Sequence, residues 1–103
     1  MLTTIELLNR VKAAHALPSD YALAKKMGIS PQAISRYRSG NGFFDARVSF
    51  VVAGLLGMNP SYVIACANME RAEYQEDEKG VSFWMHYALS ENMTDNSAKK
   101  NAA

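Results

Sequence analysis

The sequence predicts an all-α protein, and three observations carry that reading. Apolar residues recur at offsets of 3, 4, 7 and 8 rather than in alternation, side chains that cap helices stand just ahead of those runs, and no alternating run of useful length occurs. The segment VSFVV, which could pass for a strand, belongs to a longer helical period.

Thr3 and Glu6 match a capping box, in which the Thr oxygen and the Glu carboxylate each accept from an amide left unpaired at a helix start. Ile5, Leu7, Leu8, Val11 and Ala14 then supply an apolar stripe, so a first helix is expected over 3–15. Pro18 interrupts it. Ser19 is a ready N-cap for a second helix of about two turns, carrying Tyr21, Leu23, Ala24 and Met27, which Gly28 can end in a left-handed conformation. Ser30 followed by Pro31 is a cap with proline at the first helical position, where the missing N–H is not needed, and predicts a third helix over 31–39. Asp45 can cap a fourth, in which Val48, Val51, Val52, Leu55 and Leu56 are apolar at helical spacing. Asn59 and Pro60 repeat the cap-then-proline signal for a fifth helix, expected to continue to Glu78 until Lys79-Gly80 breaks it. Val81, Trp84, Met85, Ala88 and Leu89 then share one side of a sixth helix, with Phe83 and Tyr87 on another. The residues after it lack apolar anchors, so 93–103 is expected to be a flexible tail.

A chain of 103 residues is enough for one domain with a modest core that needs neither metal nor disulfide. The formal charge is only +1, yet residues 1–47 carry seven Lys/Arg against three Asp/Glu, and residues 48–103 carry four against seven. This polarity says more than the total. Cys66 has no partner for an internal disulfide, no apolar run approaches the ~20 residues of a membrane span, and no basic start leads into a signal-like apolar segment. A cytoplasmic protein is therefore expected. His15, Cys66 and His86 are too scattered for metal ligation, so no metal or other cofactor is expected. ERAEYQEDE, residues 70–78, is more simply a solvated helix end than a pair of catalytic carboxylates. With no nucleophile arrangement or phosphate-cradling glycine loop either, an enzyme is not expected.

Function is concentrated in residues 20–39. The second and third helices are short and joined by Gly28-Ile29-Ser30, a connection that forces a steep crossing and defines a helix-turn-helix. Such a crossing needs a small residue where the helices touch, one tolerant of positive φ in the turn, and a branched apolar anchor on the second helix. Ala24, Gly28 and Ile34 stand at those positions, at intervals of four and six. Gln32 and Arg36 lie four apart on one face of the third helix, where Gln can pair with adenine and Arg can present two donors to guanine. Ser30 and Ser39 are placed to cap helices or to hold phosphate.

On these residues, and on AGLLGMNPSYVI at 53–64, the chain resembles the lambda-repressor/Cro-like helix-turn-helix family over residues 3–66. The resemblance implies a five-helix bundle that binds a pseudo-palindromic operator in double-stranded DNA as a homodimer, with the third helix in the major groove. It implies base contacts from Gln32, Ser35 and Arg36, and contacts to the backbone from Ser30 and Ser39. Ser19, Arg38 and Asn41 are added to the phosphate set on their position, Arg38 having Glu6 on the first helix as an alternative partner. Two residues depart from the pattern. Pro31 replaces a polar contact, and Asp20 puts a carboxylate where a phosphate-binding glutamine is common.

The organisation expected is thus a DNA-binding bundle over 1–66, an extension of the fifth helix plus a C-terminal helix over 67–92, and the tail. The apolar surface of Val81, Phe83, Trp84, Met85, Tyr87 and Leu89 exceeds what one small bundle covers, and is assigned to dimerisation. The size and aromatic last helix resemble short phage or prophage repressors. The alternative is an antitoxin-like protein that binds DNA with the same module and neutralises a partner protein through its C-terminal region.

Overall fold

In a computed structural model of the chain, the first helix opens on the capping box: the amide of Glu6 donates to Thr3 Oγ1 at 3.1 Å, and the amide of Thr3 donates to Glu6 Oε1 at 3.2 Å. Helix α1 spans Thr4–Ala14, α2 Asp20–Met27, α3 Pro31–Arg38, α4 Ala46–Leu56, α5 Pro60–Tyr74 and α6 Glu78–Ala102. The structure describes the backbone of residues 1–102 and the side chains of residues 1–91; the expectation of a flexible tail over 93–103 falls where side chains lie outside the described residues. Helices are the regular elements of the described residues, which hold no strand and no helix long and apolar enough to cross a membrane.

Capping explains most boundaries. Ser19, Ser30 and Asp45 each accept from the amide three residues on, while Asn59 accepts from Ser61. Gly28 and Gly57 close α2 and α4 at φ +71° and +66°, which glycine adopts without a Cβ clash.

The core gathers Leu7, Leu8 and Val11 from α1, Leu23, Ala24 and Met27 from α2, Ile34 and Tyr37 from α3, Val52 from α4, and Val63 and Cys66 from α5. Phe44, in the segment between α3 and α4, is wholly enclosed and meets Tyr37 edge to face at 5.1 Å. Burying such side chains contributes about 1.5–3 kcal/mol each relative to leaving them in water. α6 joins the same core through Ala88, with Trp84 packed partly against it.

The end of α5 differs from the sequence expectation. The helix stops at Tyr74, short of Glu78, and the break falls on Gln75–Asp77, with Glu76 at φ +56°. Lys79-Gly80 does not break the pattern: Gly80 lies inside the first turn of α6, where its amide donates to Asp77 Oδ1 at 3.0 Å. A Cβ at Gly80 would overlap the Asp77 carboxylate and come within 3.1 Å of Ala72 Cβ on α5. This glycine permits close approach of two helices; it ends neither.

Candidate nucleic-acid interface

Helix α3 is divided by its packing. Ala33, Ile34 and Tyr37 point into the core, which leaves Gln32, Ser35 and Arg36 exposed together on the other side. The division follows from helical period: 33, 34 and 37 share one face, and 32, 35, 36 and 39 the opposite one. Its support is α2, which buries Ala24 and turns through Gly28, while Ile34 sits almost fully buried beyond the turn.

The serines around α3 are placed differently from one another. Ser19 and Ser30 accept from Ala22 and Ala33 amides at 3.1 Å, and a hydroxyl that accepts still has its O–H to donate. Ser39 has no such freedom, because its hydroxyl donates to the Arg36 carbonyl at 3.0 Å and accepts from Asn41 Nδ2 at 3.1 Å. Asn41 itself is exposed.

Arg38 is drawn into the protein. Its Nε and Nη2 donate to the two carboxylate oxygens of Asp20 at 3.2 and 3.0 Å, and Nη1 donates to Asn9 Oδ1 on α1 at 2.5 Å. Glu6, the partner weighed from sequence, is instead held by the capping box. Lys12 adds a third contact to Asp20 at 3.3 Å. Asp20 is therefore neither the cap of α2, which is Ser19, nor an uncompensated negative charge. The Arg38 hydrogen bond holds its carboxyl below the ordinary 3.8, against the opposing effect of burial.

Among the described residues Lys12 and Arg38 are the only cations of the basic half in ion pairs. Arg10, Lys25, Lys26, Arg36 and Arg47 are exposed, so most of the positive charge in residues 1–47 faces solvent. The described residues hold no group of three His, Cys, Asp or Glu able to grip a metal ion. Burial pushes the Cys66 thiol up and the neighbouring Tyr62 hydroxyl up to about 12, leaving both neutral. Glu73, Glu76, Asp77 and Glu78 line an open recess with Val81 at the α5–α6 turn.

A second surface lies on α6. The apolar stripe read from sequence is split: Ala88 is buried and Val81 and Trp84 half-buried, but Met85 and Leu89 face out. Phe83, 58% exposed, contacts Trp84 edge to face at 4.9 Å and stacks with Tyr87 at 6.3 Å. An exposed aromatic cluster results. Two tethers have no clear sequence signal: Glu70 on α5 grips Thr4 on α1, and Arg71 donates to the Phe44 carbonyl at 3.0 Å.

The molecule is thus a small all-helical protein with one polar, cation-bearing helix face and one exposed aromatic face. No family model matches it, and no solved structure does. It is 32% identical over 84 residues to Uncharacterized protein Gp-c of Pseudoalteromonas phage PM2, an alignment covering 80% of this chain and 90% of that protein. The chain belongs to the family of that phage protein.

Proposed function

We propose that this chain is a sequence-specific DNA-binding regulator of the lambda-repressor/Cro-like type, acting as a dimeric phage repressor with α3 in the major groove of a pseudo-palindromic operator. One observation carries the reading: α3 is anchored by Ala33, Ile34 and Tyr37 and presents Gln32, Ser35 and Arg36 outward, two of which are suited to bidentate base contacts. The unpaired cations of the basic half and a relative encoded by a phage support it. Ser19, Ser30 and Asn41 are the phosphate contacts in this reading. Arg38 and Ser39, engaged internally, hold α3 in place. The exposed cluster on α6 supports pairing with a second copy, and it is also the surface an antitoxin-like protein would offer to a partner.

Selection of bound DNA from a random pool tests the proposal. The selected site should contain two inverted half-sites about 10 bp apart. Duplexes carrying one or both half-sites, titrated at several salt concentrations, should show much tighter binding to the pair and an affinity that falls steeply with salt. A single half-site bound as tightly as the pair, or salt-insensitive binding, would remove the dimeric-repressor mechanism.

A further inference from the structure

We infer that Asp20 limits the positive charge this protein can offer to DNA phosphates, by holding Lys12 and Arg38 to itself at the border of the α3 face. The inference rests on the DNA-binding reading above. Arg38 stands three residues after Ser35, so the two are neighbours along α3, and Arg38 brings Asp20, the first residue of α2, to the flank of the exposed face. The carboxylate takes Nε and Nη2 of the guanidinium as a fork and the Lys12 ammonium as a third donor. A phosphate would use those same donors, since two oxygens of either anion match the Arg fork.

The cluster is open to such an exchange. The side chains of Asp20, Lys12 and Arg38 are 42%, 34% and 25% exposed, so solvent reaches all three. The pairs are part-buried but not enclosed, so a phosphate offering the same two-oxygen geometry can compete with the carboxylate for their donors. Two of the seven cations in residues 1–47 are thereby matched to one internal anion, while the others stay unpaired. Affinity from phosphate contacts is blind to sequence, so restraining it lowers the hold on unselected DNA while base readout by Gln32 and Arg36 is left in place.

The full chain and its Asp20→Asn variant, which keeps the side-chain shape, would be titrated by fluorescence anisotropy with a random-sequence 20-bp duplex across a salt series. Each cation released to a phosphate should tighten binding about 8-fold at 0.1 M salt and steepen the log–log salt slope by about 0.9. Lys12→Ala in the native background removes a cation that is already engaged, and should leave the slope unchanged. Added to Asp20→Asn, it should take back about 0.9 of the gain.

An Asp20→Asn variant that is folded but binds random DNA with unchanged affinity and slope would overturn the inference and leave Asp20 as a brace between α2 and α3. A loss of about 0.9 in slope from Lys12→Ala alone would also overturn it, and does so even if Asp20→Asn fails to fold. If the native chain binds no duplex at low salt, the DNA-binding reading itself falls and this inference with it.

Discussion

Glu70 Oε1 accepts both the amide of Thr4, at 2.8 Å, and its hydroxyl, at 2.7 Å, so that α5 supplies a carboxylate to the first turn of α1. Thr4 is 2% exposed, so water has little access to its two donors in place of that oxygen. Glu70→Ala should cost about 1–3 kcal/mol, the penalty of leaving buried donors unpaired. Thr4→Val in the same background should recover part of the loss. Urea unfolding of the two single variants and the double variant measures the coupling, and purely additive effects would contradict it.

Ser49 on α4 is fully buried, and its hydroxyl has no hydrogen-bond partner. Ser49→Ala removes an unsatisfied polar atom and improves helix propensity, so it should stabilise the protein by about 0.5–1.5 kcal/mol. A lower thermal midpoint for the variant would mean that the hydroxyl is satisfied in solution.

Gly80→Ala sets two effects against each other. Alanine favours an exposed helix interior over glycine by about 1 kcal/mol, but here the new methyl would meet Asp77 and Ala72. Overpacking of about 1–3 kcal/mol should win, so the variant is expected to be less stable, whereas Lys79→Ala next to it should be near neutral. Parallel thermal melts decide between them. A stabilised Gly80→Ala would show that α6 can move away from α5 at little cost.

Arg36→Ala should weaken binding to the selected site by about 1–3 kcal/mol and relax preference at a single guanine. Gln32→Ala should do the same at an adenine. Both side chains are exposed, so fold stability should not change, and circular dichroism checks that. Equal weakening on selected and random DNA would reassign the residue to phosphate.

Phe83 and Leu89 are 58% and 49% exposed on α6, whereas Ala88 between their turns is buried. Replacing both exposed residues with Glu leaves the α5–α6 packing intact and puts charge on the aromatic cluster. Sedimentation should show a dimer for the native chain and a monomer for the variant. An unchanged dimer would move the interface elsewhere on the bundle.

The sequence by itself determined the helical class and nearly every helix start, because capping is local: Thr3, Ser19, Ser30, Asp45 and Asn59 act on amides two or three residues away. It also separated α3 into inward and outward residues, since a period of 3.6 assigns sides without reference to any neighbour. Only the tertiary structure decided the end of α5, because the role of Gly80 depends on Ala72 of another helix and the turn on a positive φ at Glu76 that no local rule demands. The fates of Asp20 and Arg38 were equally hidden. Their carboxylate and guanidinium are eighteen residues apart, and Asn9 and Lys12 reach them from a third helix. On α6 the apolar period marked a side but could not say how much of it is covered. That depends on how α5 packs against it, which encloses Ala88 and leaves Met85 and Leu89 in water.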